Sequence, residues 1–364
     1  MINFARLKPY VIISIIRYVS LVIRHSSFAM GHLKAGTTLR NRYHIVGLIG
    51  SGGMGAVYLA HDGRLKGRQC AVKEQIILDT GMARAIQKQF EQEASILARL
   101  DHPGLPKVSD YFSDEAGDRD YLVMDYVPGR NLDQLVKRAR QQNEFLDEST
   151  VLQWIDQLCD ILIYLHSRTP MVLHRDIKPA NIKLTPENRV KLVDFGLAKP
   201  VDPDDPRTIT GLQGLGSLPY TPIEQYVGQM GHTDPRSDLY ALGATCYHLL
   251  TGQTPLSAHD YFLNPNHLYP PTQLNPNLSA HTCEAILWAM QLHPNSRPPS
   301  VETWHTMLTH KQPVPDHRSG ANGLETLSLS ESLSASNGIL RENLALIGVA
   351  TVLFILALVM TFGG

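Results

Sequence analysis

Apolar residues recur along the chain at two spacings. Tyr43–Ile49, Val57–Ala60 and Cys70–Val72 are short β-rich runs, whereas Ile86, Phe90, Leu97 and Leu100 fall on one face of a predicted helix. From about Arg40 to His310 strands and helical periods alternate without a low-complexity break. Both ends depart from this texture. Tyr10–Ile23 is apolar apart from Ser14, Arg17 and Ser20, which with Arg24 mark one helical stripe. That block is short for a membrane span. It reads as a basic interfacial helix, as a poor signal anchor, or as an extension produced by placing the start too early, with Met30 the favoured true start. Lys311–Leu340 is rich in Ser, Gly and Pro and lacks a sustained apolar face, as a flexible linker does. The 21 residues Leu344–Gly364 carry no charge, and Leu344–Met360 is almost wholly apolar. At about 1.5 Å per residue such a helix crosses a hydrocarbon layer roughly 30 Å thick. The expected organisation is therefore an extension over 1–39, a folded domain over 40–310, a juxtamembrane linker over 311–342 and a transmembrane tail anchor over 343–364.

Composition narrows the classes. With 33 Lys+Arg against 34 Asp+Glu in 364 residues, the chain is not a broadly basic nucleic-acid binder, and no nucleic-acid partner is expected. A hydrophobic content of 43% supplies a core. Cys70, Cys159, Cys246 and Cys283 lie far apart with no metal-ligand spacing, so they read as small buried hydrophobes.

The candidate chemistry falls in three segments. Gly50-Ser51-Gly52-Gly53-Met54-Gly55 is glycine-rich, and glycines at 50, 52 and 55 let the backbone turn and approach phosphate oxygens. A dinucleotide-binding turn would open a helix; here Ala56–Ala60 continues as a strand, so the segment reads as a flap over ATP. Lys73 ends the next strand. Glu93 falls between Phe90 and Leu97 on the inward helix face, a costly place for an unpaired carboxylate. Lys73 is its natural partner and would hold the α- and β-phosphates, while Glu91 falls on the solvated side. The densest segment is His174-Arg175-Asp176-Ile177-Lys178-Pro179-Ala180-Asn181, followed by Asp194-Phe195-Gly196. Asp176 can orient an attacking hydroxyl and accept its proton, Lys178 can neutralise γ-phosphate charge, and Asn181 and Asp194 offer hard oxygens to Mg²⁺ or Mn²⁺.

In combination these segments resemble the protein-kinase signature set, and the chain resembles bacterial eukaryotic-like (Hanks-type) serine/threonine protein kinases over about Tyr43–Leu308. The resemblance implies an α+β bilobal kinase fold, with a small β-rich lobe, a large helical lobe and ATP in the cleft between them. It implies that Asp125–Val127 is the hinge meeting adenine, that Met124 is the gatekeeper, and that Val57 and Ala71 line the slot. Asp238 matches a buried helix aspartate that braces the catalytic loop, and Arg297 matches an arginine that pairs with Glu224 at the end of the activation segment. Pro222-Ile223-Glu224 departs from the family's Ala-Pro-Glu by displacing the proline one position. Gly216-Ser217 stands where Gly-Thr is usual, with the hydroxyl kept. Arg175 needs an anionic partner, which a phosphate on Thr208 or Thr210 would supply. The expected reaction is transfer of the γ-phosphoryl of MgATP to protein Ser/Thr hydroxyls, in a membrane-anchored kinase whose catalytic domain is cytoplasmic. Lys311, Arg318 and Arg341 precede the span and none follows it, as the positive-inside tendency requires. A pseudokinase scaffold and a small-molecule phosphotransferase are the rivals, and a kinase homodimer is left open.

Overall fold

The computed structural model describes residues 31–52, 55–77, 83–115, 117–195, 199–200, 218–226, 233–264 and 267–310. The candidate positions Gly53, Met54, Thr208 and Thr210, the N-terminal block 1–30 and the linker and span from 311 onward lie outside them.

The small lobe is a six-stranded antiparallel sheet. Strands β1 (Thr38–Leu39), β2 (Tyr43–Gly52), β3 (Gly55–Asp62), β4 (Gln69–Ile76), β5 (Val108–Ser113) and β6 (Arg119–Asp125) run in the order β1-β2-β3-β4-β6-β5. Helix α1 (Ala83–Arg99) crosses between β4 and β5. Because side chains alternate along a strand, β4 and β6 each serve two clusters. Cys70, Val72, Tyr121 and Val123 join Tyr43, Tyr58 and Phe112 in a cluster on one face of the sheet. Ala71, Leu122 and Met124 join Phe90 and Leu97 of α1 in the main core, which continues into the large lobe. The same alternation turns Lys73 to the α1 side and Glu74 to the opposite side. Glu74 is buried there among Arg119 Nη1 (2.6 Å), Tyr58 Oη (2.8 Å) and Tyr121 Oη (3.2 Å).

The sheet reaches upstream of the expected boundary at residue 40. Thr38 pairs with His44, Leu33 and Leu39 pack on the outer cluster, and Leu33 N–H donates to Tyr58 Oη at 3.0 Å. Two apolar residues spaced through a polar lead-in are too few to register as a periodic element, so this strap was not visible in the pattern.

Residues 126–129 lead from the sheet into the large lobe. There β7 (Arg130–Asn131), α2 (Leu132–Gln141), α3 (Glu148–His166), β8 (Val172–Leu173), β9 (Ile182–Leu184), β10 (Val190–Leu192) and β11 (Lys199–Pro200) precede a helical half. That half holds α4 (Ile223–Tyr226), α5 (Pro235–Thr251), α6 (Ala258–Leu263), α7 (Pro271–Leu274), α8 (Ala280–Ala289) and α9 (Val301–His310). Helix α3 is capped by Asp147, whose carboxylate accepts from Thr150 N–H at 2.8 Å, and buries Trp154, Ile155, Leu158, Leu162 and Leu165. Helix α5 is buried along nearly its whole length, with Asp234 capping its start and Gly252 in the left-handed region after its end. The four cysteines are all free and buried, as expected of small core residues. Among the described residues no helix is long and apolar enough to cross a membrane; the expected span lies outside them.

The glycine-rich segment differs in detail from the sequence expectation. Gly50–Gly52 is the end of β2 and Gly55 the start of β3, so the strands run further into the flap than a loop would. Gly55 is required by packing: a Cβ there would lie 1.9 Å from the Glu74 carbonyl oxygen of β4. At Gly50 the nearest atom to a Cβ is Val57 Cβ at 4.0 Å, an ordinary contact. Gly55→Ala should therefore lower stability by about 2 kcal/mol or more through backbone displacement, and Gly50→Ala by less than about 1 kcal/mol. Thermal or denaturant melts of the two variants check this; equal losses would remove the packing explanation.

Candidate active site

Three charged side chains meet at the inner end of the cleft. Lys73 Nζ lies 2.7 Å from Glu93 Oε1, 2.9 Å from Glu93 Oε2 and 2.8 Å from Asp194 Oδ1. Register places Lys73 opposite Val57 of β3 and Leu122 of β6. Glu93 is buried, as are Phe90 and Leu97 on the same face of α1, while Glu91 is exposed. Asp194 follows β10 with φ +67°, a left-handed conformation rarely held by a residue with a side chain. The Lys73 ammonium holds the Asp194 carboxyl far below the usual range. Burial works to strip Lys73 of its charge, but Asp194 and Glu93 together hold it protonated well above the ordinary lysine value. Lys73 and Asp194 are thus both held in their charged forms, while burial pushes the Glu93 carboxyl upward against the pull of Lys73.

The second group is built on a loop between β8 and β9. Lys178 Nζ reaches Asp176 Oδ2 at 2.7 Å and Oδ1 at 3.0 Å. Asn181 Nδ2 donates to Asp176 Oδ2 at 2.8 Å and to its carbonyl at 2.9 Å, so the amide oxygen is the Asn181 atom left for a cation. The loop is held from below by Asp238 of α5, which is fully buried and accepts from His174 N–H (3.0 Å), Arg175 N–H (2.8 Å) and the His166 ring (2.9 Å). Burial alone would raise the Asp238 carboxyl; the His166 hydrogen bond and the two backbone donors bring it below its ordinary value. His174 is buried with its ring edge-on to Phe195, 4.7 Å between centroids, and burial lowers its pKa. Arg175, also at φ +67°, donates to Thr233 Oγ1, and burial pushes its pKa down to about 10.

Glu224 and Arg297 meet as anticipated although the proline is displaced. Arg297 Nη1 and Nη2 bind Glu224 Oε1 and Oε2 at 2.6 and 2.9 Å, with Arg297 capped further by the carbonyls of Gln291 (2.7 Å), Leu292 (2.9 Å) and Arg236 (3.0 Å). Ser237 Oγ donates to Glu224 Oε1 at 2.8 Å, a partner the motif did not announce.

Beside the triad an apolar cavity of about 170 Å³ is lined by Val57, Ala71, Leu97, Met124, Val127 and Val193, among others. It opens beside a larger, more polar cavity of about 860 Å³ that takes in Gly50, Ser51, Asp176, Lys178 and Asn181. A flat apolar slot leading into a polyanion-sized chamber fits a purine nucleotide. Asp125, Tyr126 and Val127 all line the slot, with the Asp125 N–H donated to the Lys107 carbonyl (3.0 Å) and its carboxylate accepting from Arg68 (3.2 Å). Leu97, Val193 and Lys183 line the slot without having been anticipated.

A family model, protein kinase domain, matches residues 43–311. The chain belongs to the protein kinase family. It is 37% identical over 228 residues to Serine/threonine-protein kinase B of Synechocystis, covering 60% of this chain and 38% of that protein. It is 35% identical over 271 residues to Serine/threonine-protein kinase PknA of Mycobacterium tuberculosis, covering 72% of this chain and 60% of that protein. The chain therefore spans only part of the length of these relatives. A solved structure, "PpkA-294 apo form", superposes with a TM-score of 0.64 at 26% identity, covering 76% of this chain and 99% of that one. The family and fold expected from the signature set are those found.

Asp238 has a definite pH signature. Its folded pKa is depressed, so its contribution to stability is complete above the ordinary aspartate value near 3.9 and is lost as pH falls through the lower folded value. Asp238→Asn should cost about 2–4 kcal/mol at pH 7 by setting an amide N–H₂ against backbone donors. The gap to the wild type should narrow below about pH 4, where the aspartate of the unfolded chain takes up a proton before the folded one does. Urea melts at pH 7 and pH 3.5 measure both; a gap independent of pH would contradict the assignment.

Proposed function

We propose that the protein transfers the γ-phosphoryl group of ATP to serine or threonine hydroxyls of protein substrates. The observation that carries this reading is the convergence on one cleft of the Lys73–Glu93–Asp194 triad and the Lys178–Asp176–Asn181 cluster. Asp176 accepts the hydroxyl proton as the substrate oxygen bonds to the γ-phosphorus and the bond to the β,γ-bridging oxygen breaks, releasing ADP. Lys178, paired with Asp176, stands ready to balance charge on the transferring group, and Lys73 to hold the α- and β-phosphates against Glu93. Asp194 and Asn181 fit a Mg²⁺ or Mn²⁺ ion: each provides a hard oxygen, and such an ion takes few protein ligands when phosphates supply the rest. Bound there, the ion neutralises charge on the β- and γ-phosphates. Preorganised charge and positioning account for most of the rate in such a site.

A pseudokinase would be marked by loss of Lys73, Asp176, Asn181 or Asp194, and all four are present. The names of the relatives support serine/threonine specificity, as does Lys178 two residues after Asp176. We propose in addition that Thr208 or Thr210 is autophosphorylated and meets Arg175, and that 343–364 anchors the kinase to the cell membrane with its catalytic domain cytoplasmic.

Incubating the purified full chain with radiolabelled ATP and a generic basic protein should label both proteins on Ser or Thr, with peptide mapping placing label on Thr208 or Thr210. Asp176→Asn should lower the rate by about 10³-fold while leaving ATP binding intact. Equal labelling by the variant would overturn the enzyme reading. Removal of 343–364 should move an active kinase from the membrane pellet to the supernatant; a full-length protein already in the supernatant contradicts the anchor.

A further inference from the structure

Lys183 is out of place as a structural residue. It is the middle residue of the short strand β9, and register sets it opposite both Asn131 of β7 and Lys191 of β10. A like-charge pair directly across two strands destabilises a sheet. Lys183 is half-buried, and burial alone lowers its pKa. Among the described residues its ammonium makes no hydrogen bond and no ion pair. Its contact is the ring of Tyr126, 5.4 Å from Nζ to the centroid. Lys183 lines both the apolar slot and the larger polar chamber, beside Tyr126 on each. The other cation common to the two cavities, Lys73, is committed to Glu93 and Asp194 at 2.7 and 2.8 Å.

In a nucleoside triphosphate laid from slot to chamber, the group that joins base to phosphates is the ribose. We propose that Lys183 is a specificity-determining residue of the nucleotide site, its aliphatic stem forming floor under the base and its ammonium donating to the ribose hydroxyls of ATP. This rests on the reading of the cleft as an ATP site and adds a sugar-reading element to it. Tyr126 holds the ammonium at the mouth by cation–π attraction until the nucleotide arrives. An ammonium has three donors and no acceptor, so it matches hydroxyl oxygens and has nothing to gain from a sugar that lacks them. A hydrogen bond from a charged donor in this half-buried setting corresponds to a preference of about fivefold.

The test is direct binding of ATP, 2′-deoxy-ATP and 3′-deoxy-ATP to the full chain by titration calorimetry, with Lys183→Met, which keeps the stem, and Lys183→Arg, which keeps the charge. The wild type should bind ATP about fivefold more tightly than at least one deoxynucleotide. Lys183→Met should erase that ratio while retaining deoxynucleotide affinity, and Lys183→Arg should restore part of it. An unchanged ratio in Lys183→Met, or no discrimination by the wild type, overturns the proposal. So does a uniform weakening of all three nucleotides, which would make Lys183 a general counter-charge to the phosphates. If the wild type binds none of the three, the reading of the cleft itself fails, an outcome distinct from loss of sugar discrimination alone.

Discussion

One ammonium answering two carboxylates is the constraint on which the cleft depends. Glu93 arrives on α1 and Asp194 from the strand end of the large lobe, and both close on Lys73 within 2.9 Å. Neither carboxylate is placed well without it. Glu93 is 3% exposed and burial raises its pKa, while Asp194 sits in a left-handed backbone conformation that needs an external hold. The lysine therefore ties three separate elements, β4, α1 and the segment after β10, to one point. In the proposed ATP site the phosphate oxygens would address the same ammonium, which would link nucleotide binding to the position of α1 through a single charge.

The catalytic loop solves the opposite problem, with a buried anion answered by backbone. Among the described residues no lysine or arginine forms an ion pair with Asp238; its two oxygens are met by the His174 and Arg175 N–H groups and by the His166 ring. The two backbone donors belong to the residues just before Asp176, so the rigidity of buried helix α5 passes directly to the carboxylate proposed as proton acceptor. Asp176 itself is then arranged locally, by Lys178 two residues on and Asn181 five residues on. Long-range anchoring sets where the loop stands, and short-range spacing sets which way its carboxylate faces.

That division explains what could be read from the sequence. The local spacing of Asp176, Lys178 and Asn181 is printed in the chain, and helical periodicity alone placed Glu93 inward, opposite Lys73. The Glu224–Arg297 pair came through resemblance and held despite the displaced proline, because bidentate pairing depends on the glutamate's place and not on the residue two positions before it. Lys183 was not legible. A lysine in a three-residue strand looks like any edge lysine until the pairing of β9 with β7 and β10 shows which face turns to the slot. The reason for Gly55 was also hidden: glycine spacing suggested phosphate approach, while the close contact is with the Glu74 carbonyl across the sheet. The strap at Leu33 and Leu39 carried too little pattern to be seen.

The cluster around Glu74 bears on the active site although it lies on the other face of the sheet. Lys73 and Glu74 are adjacent, so a one-residue slip of β4 would exchange them, sending the carboxylate into the cleft and the ammonium into the outer cluster. The apolar neighbours alone discriminate weakly against such a slip, since β4 is buried on both faces at Ala71 and Val72. Charge discriminates strongly. In the native register Glu74 meets Arg119, Tyr58 and Tyr121, all donors, at 2.6 to 3.2 Å, and Lys73 meets two acceptors. In the slipped register each would face groups of its own kind, donors against an ammonium and carboxylates against a carboxylate. Two ionic clusters of opposite polarity on opposite faces thus fix the one register in which Lys73 can reach Glu93.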